Sequence, residues 1–418
     1  MAGFQAQTEG GVGPVAGART GAVLAWVLER SHEASALQVP ALIDEAARRL
    51  GLTGTHLYLA DLRQTRLRAL PQLATRRPST AEAAEAGERA EALDVDASLG
   101  GLAYRDQQVQ LSRDHTTAWV PMVDGVERVG VMRVTGTALD ERALDVCRTL
   151  AALATLVVVS KSTHHDLLVL RARSRPMTLQ AELLWAFLPP RTIGTSQATS
   201  TAVLEPAYDI GGDAFDHNFS DGLLQLTLLD AMGHDLAAGG ASAAGLAACR
   251  AARRAGGGLT DMATAIERTL RQWVPDRLMT GVLARLDTSR GEFAWINCGH
   301  PPPLLIREGH VVPAALERPV QLPLGLGFHT DAPPRWDRAR LQPGDRVLLY
   351  SDGVTEARSG AGDLFGEERL TDTVIRSMAS GATAPEALRR LVLDLLTHQD
   401  QRLHDDATIL LCEWHPTA

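Results

Sequence analysis

At 418 residues, with 45% apolar residues and a formal net charge of −9, the chain has room for two or more domains, each with its own core. That balance excludes a disordered chain and gives no sign of a nucleic-acid-binding surface. Four isolated cysteines, Cys147, Cys249, Cys298 and Cys412, offer neither a disulfide framework nor zinc-ligand spacing, and they fit a reduced cytoplasmic protein.

Met1–Thr20 is Gly/Ala-rich and lacks both a basic start and an apolar core, so residues 1–19 are expected to be disordered rather than a leader. Leu236–Cys249, the longest uncharged segment inside a domain, is too short to span a bilayer, and no membrane partner is expected. Gly21–Arg49 reads as helical with a break near Val39-Pro40. His56–Leu62 and Thr65–Leu70 read as strands, and Arg76–Ala92 as a loop or short exposed helix. Ala118–Val123 and Val126–Val134 flank Asp124-Gly125, a hairpin with tight-turn chemistry. Residues 20–140 thus form an α+β domain.

From Glu141 to Arg175 apolar residues recur at helical spacing (Val146, Leu150, Leu153, Val157, Leu167, Leu170). The pattern fits either a helix packed on its own domain or a linker, residues 141–177, whose seam joins two protomers. Arg175-Pro176 breaks it, and Thr178–Leu188 begins another helix ending at Pro189-Pro190.

Residues 178–418 change character, with many strands, two Ala- or Leu-rich helices (Leu236–Ala255 and Leu259–Trp273) and a third at Ala384–Thr397. The arm that follows Gly211-Gly212 and the apolar run Leu223–Leu229 read as a hairpin, with Ser220-Asp221-Gly222 supplying the turn. Two-residue closure pairs Phe219 with Leu224, Phe215 with Leu228, and Asp213 with Asp230. One face then carries Phe and Leu and ends in two carboxylates roughly 5 Å apart. Side-by-side anions at the end of an apolar face call for a cation, and oxygen donors select Mg²⁺ or Mn²⁺. The plainer reading is that each Asp only caps a turn. Asp352 and the Asp405-Asp406 pair also sit at strand ends, after Arg346–Ser351 and before Thr408–Trp414. Several carboxylates at strand ends are what a two-metal site requires.

Two resemblances follow from particular stretches. T-A-W-V-P-M-V-D-G-V-E-R-V-G-V-M-R-V and the helix after it resemble a GAF domain, which implies a sensor that binds an unknown small molecule or dimerises. His115 and Trp119 are candidate pocket residues or structural ones.

The second covers residues 178–415 through A-E-L-L-W-A-F-L-P-P, E-P-A-Y-D-I-G-G-D-A-F-D, L-L-D-A-M-G-H-D-L-A-A, I-N-C-G-H-P-P-P-L-L, L-P-L-G-L-G, L-L-Y-S-D-G-V-T-E-A and H-D-D-A-T-I-L-L. These resemble the PP2C-type (PPM) metal-dependent serine/threonine phosphatases of the bacterial SpoIIE/RsbU-like branch. The resemblance implies a PP2C-like β-sandwich flanked by helices, two Mn²⁺ or Mg²⁺ ions, and attack on phosphorus by a metal-activated water. Carried over, Asp230 bridges both ions with the carbonyl of Ala231 on one, and Asp213 holds one ion. Asp352 and Asp405, or Asp406 if the register slips by one, hold the other. Asp216 is a water-mediated carboxylate or a surface residue, and His234 and His300 are structural. Ser351 and Thr355 tune a ligand.

Ala231 and Asp235 depart from the commonest pattern, and Asp235 adds charge near the site. The resemblance further implies a homodimer, regulation by the GAF-like domain through the helix Thr178–Leu188, and a phosphoprotein substrate, a STAS-type anti-sigma-factor antagonist. Two rivals are a diguanylate cyclase, suggested by Gly211-Gly212-Asp213-Ala214-Phe215 but lacking a carboxylate at Ala214, and a catalytically silent sensor and binding protein.

Overall fold

The computed structural model describes residues 14–72, 91–209, 211–319, 321–329, 332–401, 403 and 405–415. They form two compact units, the first reaching Asp124 and resuming over Arg128–Ser174, the second made of Gly125–Glu127 and the chain from Arg175 onward.

The first unit opens with helix α1 (Pro14–Glu33), so helix starts inside the segment expected to be disordered. Helix α2 (Val39–Arg49) follows a short 3₁₀ turn; Pro40 lies in its first turn, where a missing N–H costs little, and the break falls just before it. Strands β1 (Gly54–Ala60), β2 (Arg66–Ala69), β3 (Ala92–Asp94), β4 (Gln110–Leu111), β5 (Thr117–Asp124) and β6 (Glu127–Thr135) make one sheet in the order β3-β2-β1-β6-β5-β4. Most of the Arg76–Ala92 interval lies outside the described residues.

Alternation along the strands sorts the two faces. Leu57, Leu59, Val120, Met122, Met132 and Val134 pack in one cluster with α1, α2 and helix α4 (Glu141–Ser162). Tyr58, Trp119 and Val131 face the other way, with helix α3 (Leu99–Asp106), which the sequence reading missed. Trp119 packs 5.4 Å from the Tyr58 ring, a core role, and His115 is an exposed turn residue at φ 54°.

Asp140 caps α4 by accepting from the Ala143 N–H at 2.8 Å. By length and apolarity α4 could cross a membrane, but Leu144, Cys147, Leu150, Ala151, Ala154 and Val158 are buried in the first unit's core. Of the two readings of this stretch, this burial fits a helix packed on its own domain; the short α5 (Asp166–Arg171) follows.

The second unit is a sandwich. Strands β9 (Asp213–Ser220), β10 (Leu223–Ala231), β11 (Met279–Asp287), β12 (Glu292–Cys298) and β15 (Asp337–Arg340) form one sheet in the order β15-β12-β11-β10-β9. The other, β14-β13-β16-β17-β8-β7, contains β7 (Thr192–Gly194), β8 (Ala198–Glu205), β13 (Leu304–Arg307), β14 (His310–Val311), β16 (Arg346–Tyr350) and β17 (Ala407–Trp414). The β9–β10 register pairs Leu224 with Phe219, Leu228 with Phe215 and Asp230 with Asp213, as counted from the turn.

Leu224, Leu226, Leu228 and Phe215 share a core with Ala202, Leu204, Val347, Leu349, Leu410 and Cys412 of the facing sheet. The alternate residues Val203, Leu348, Tyr350, Ile409 and Leu411 pack instead with helices α10 (Gly366–Ala379) and α11 (Ala384–His398). Helices α7 (Leu236–Arg254) and α8 (Leu259–Trp273) cover the first sheet, where Gly245 of α7 fits closely against Leu229 and Met279. Helix α6 (Leu179–Phe187), capped by Thr178, adds Ala181 and Leu184 to this core.

Candidate active site

The apolar face of β9–β10 runs out into carboxylates at one end of the sandwich. Asp213 is 2% exposed, and its Oδ2 is a buried acceptor with no hydrogen-bond partner. Burial and the Asp230 charge hold its carboxyl well above the ordinary carboxylate range. Asp230, directly opposite on β10, is pushed up to about 7, first by burial and then by Asp352, Asp405 and Asp406. Asp352 is raised by burial and by Asp405. Asp213 and Asp230 thus form the inner part of the cluster, and Asp352 and Asp405 its exposed rim.

Two turns bring the rim to the strands. Ser351, fully buried at the end of β16, accepts from the Thr408 N–H at 2.9 Å and donates to the Asp406 carbonyl at 3.3 Å. This ties the start of β17 to the one-turn helix α9 (Asp352–Thr355). Gly353 is required there, since a Cβ would lie 2.0 Å from the Asp406 carbonyl oxygen. Thr355 only closes the turn, donating to the Asp352 carbonyl at 3.3 Å.

The neighbours Asp405 and Asp406 have different roles. Asp406 Oδ2 accepts from the N–H groups of Gly211, Gly212 and Asp213 at 2.8, 2.7 and 3.0 Å. Its carboxylate thus holds the Gly-Gly-Asp turn. Asp405 is left on the rim, its Oδ1 accepting from the Asp406 N–H at 2.9 Å. Gly212 also admits no side chain, because a Cβ would sit 2.1 Å from the Ala231 carbonyl oxygen, which closes the backbone of β10 against the turn.

Other candidates lie elsewhere. Asp216 is out of phase with Asp213 and points to the helical side, buried between Arg250 and Arg253 of α7 at 2.6 Å each. Arg250 also donates to the Phe187 carbonyl at the end of α6. Asp235 is the N-cap of α7, accepting from the Ala238 N–H at 2.8 Å and pairing with Arg277 at 2.9 Å, so its charge is balanced. His234 is an exposed turn residue.

His300 is 3% exposed, and burial pulls it down to about 4, opposed in part by the Tyr350 carbonyl. Its backbone is pinned by Asn297, which accepts from the His300 N–H and donates to the His300 carbonyl, both at 2.8 Å. Its Nδ1 lies 2.8 Å from Thr280 Oγ1. Sequence reasoning missed Thr280. Pairing β11 with β10 would have found it, because the register sets it opposite Asp230.

Among the described residues no three His, Cys, Asp or Glu side chains converge as a preformed chelate. The chemistry of the donor set nevertheless fits a divalent cation. All candidate donors are oxygens, one of them is an orphaned buried carboxylate atom, and the inner carboxyls are raised by burial and by neighbouring carboxylates.

Residues 220–415 match the family model described as stage II sporulation protein E (SpoIIE), a span that includes Asp230, Asp352, Asp405 and Asp406 and begins after Asp213. Two curated relatives are similar over shorter stretches. Protein IcfG of Synechocystis sp. is 28% identical over 126 residues, 30% of this chain and 19% of that protein. Phosphoserine phosphatase RsbU of Bacillus subtilis is 29% identical over 133 residues, 32% of this chain and 38% of that protein. These matches make part of the second unit similar to the SpoIIE family. The chain thus spans well under half the length of either relative. Among solved structures, the RsbU and RsbW domains of Rv1364c from Mycobacterium tuberculosis are 28% identical, with a TM-score of 0.44 over 53% of this chain and 63% of that one. The SiaA-PP2C domain of Pseudomonas aeruginosa is 21% identical, with a TM-score of 0.47 over 56% of this chain and 94% of that one.

Proposed function

We propose that the protein is a metal-dependent protein serine/threonine phosphatase. The observation that carries this reading is the orphaned Asp213 carboxylate oxygen beside Asp230, the latter inside the stretch that matches the SpoIIE model. Asp213 and Asp230 hold cations from the sandwich interior, with the Ala231 carbonyl beside them, and Asp352 and Asp405 hold them from the rim. Asp406 fixes the turn that presents Asp213. Two Mn²⁺ or Mg²⁺ ions bound there supply a water of lowered pKa and neutralise charge on the phosphoryl group. The chain's own part is to gather anions on a scaffold that keeps the inner pair dry and leaves the rim open to a phosphoprotein.

In this reading the substrate is a phosphoserine or phosphothreonine of a STAS-type anti-sigma-factor antagonist in the cytoplasm. The first unit acts as a GAF-like sensor, within a homodimer. The similarity to a phosphoserine phosphatase supports the reaction class. The test is phosphate release from a phosphoserine-bearing STAS protein and from a phosphotyrosine peptide, with Mn²⁺. Release from the first alone is expected, and equal release from both would overturn the assignment to serine/threonine. The absence of a preformed chelate among the described residues favours one rival, a catalytically silent binding protein. That rival predicts no release from either.

A further inference from the structure

We infer that Thr280 and His300 are positioning residues for Asp230, passing a hydrogen bond from the buried imidazole through the threonine hydroxyl to the carboxylate. The inference rests on the metal-centre reading above.

The register fixes the row. Asp213, Asp230 and Thr280 lie opposite one another on β9, β10 and β11. His300, just past the end of β12, reaches back to the same row: its Nδ1 is 2.8 Å from Thr280 Oγ1, and Thr280 Oγ1 is 3.4 Å from Asp230 Oδ2. A hydroxyl has one proton to give, and a neutral imidazole carries one N–H. Asp230 as an anion can only accept, so it draws the Thr280 proton. Thr280 oxygen then accepts from Nδ1–H. The relay therefore requires the Nδ1–H tautomer.

The remaining features hold this pair in place. Asn297 clamps both backbone polar groups of His300, and Gly299 takes φ +75° in the turn that aims the ring inward. The imidazole thus has no freedom to follow Asp230, whereas the 3.4 Å contact leaves the carboxylate room to turn. The relay selects the orientation of Asp230 without itself touching the reacting atoms. Outer partners of this kind alter metal affinity by about 10–100-fold, and the long contact places this one at the lower end.

The test is Mn²⁺ affinity by isothermal titration calorimetry on the full chain. Thr280→Val should weaken Mn²⁺ binding about tenfold, while Thr280→Ser, which keeps the hydroxyl, should stay within about twofold of wild type. His300→Leu should weaken binding in the wild-type background and add nothing in the Thr280→Val background, as expected of two links in one chain. Metal-free urea midpoints identify folded variants, and Thr280→Ala replaces Thr280→Val if the added methyl is not accommodated. Unchanged affinity in the hydroxyl-less variant, or a full additive effect of His300→Leu, would overturn the relay while leaving the metal centre intact. A wild-type protein that takes up no Mn²⁺ would overturn the underlying reading and the relay with it.

Discussion

Asp230→Asn should stabilise the metal-free protein while abolishing its activity. Asp230 is pushed from an ordinary 3.8 up to about 7 by burial and neighbouring carboxylates. A carboxyl whose pKa is higher in the folded state than in the unfolded chain favours folding only while it is protonated. Its contribution is therefore lost as pH rises from about 4 through about 7. At roughly 1.4 kcal/mol per pKa unit, ionising Asp230 in the fold costs at most about 4 kcal/mol at pH 8. Relaxation of the rim brings the expected figure to about 2 kcal/mol.

Asparagine removes that charge, and its amide N–H₂ stands opposite Asp213, whose Oδ2 has no partner. Urea unfolding of chelator-treated wild type and Asp230→Asn at pH 5 and pH 8 measures the effect. The variant should be about 2 kcal/mol more stable at pH 8, and the gap should narrow toward pH 5. Saturating Mn²⁺ should stabilise wild type and leave the variant nearly unmoved. A variant that is less stable than wild type at pH 8 without metal would refute the claim that burial and neighbouring carboxylates raise the inner carboxyls.

Asp405 and Asp406 should separate in the same assays. Asp406→Asn loses a charged acceptor of three backbone N–H groups and should lower stability by about 2 kcal/mol by urea titration. Asp405→Asn should leave the urea midpoint within about 0.5 kcal/mol of wild type and reduce Mn²⁺ affinity by at least about tenfold by calorimetry. Gly212→Ala puts a methyl 2.1 Å from the Ala231 carbonyl oxygen and should cost about 1–3 kcal/mol, with loss of Mn²⁺ binding.

The metal-binding hairpin was legible because strand alternation and an Asp-Gly turn are local. Counting back from Asp221-Gly222 placed Asp213 opposite Asp230, as the register has it. The same alternation already put Asp216 on the other face, but its arginine partners sit on α7, 34 and 37 residues away, and no local pattern announces them. Asp235 carried a readable helix-capping signal that motif matching obscured. What sets Asp406 apart from Asp405 is its hold on the N–H groups of Gly211–Asp213, about 195 residues away, which no local pattern announces. Thr280 announces nothing locally; only the β10–β11 register sets it opposite Asp230. In the first unit, the helix Glu141–Ser162 reads equally well as a dimer seam or as core. Leu144, Cys147 and Leu150 pack in the first unit's core, which no local pattern announces.

The most direct test is turnover of p-nitrophenyl phosphate by the 418-residue chain with Mn²⁺ or with EDTA, in wild type and Asp230→Asn. Turnover should need Mn²⁺ and disappear in the variant. Turnover that survives EDTA or the substitution, or none from wild type with Mn²⁺, would contradict the proposed function.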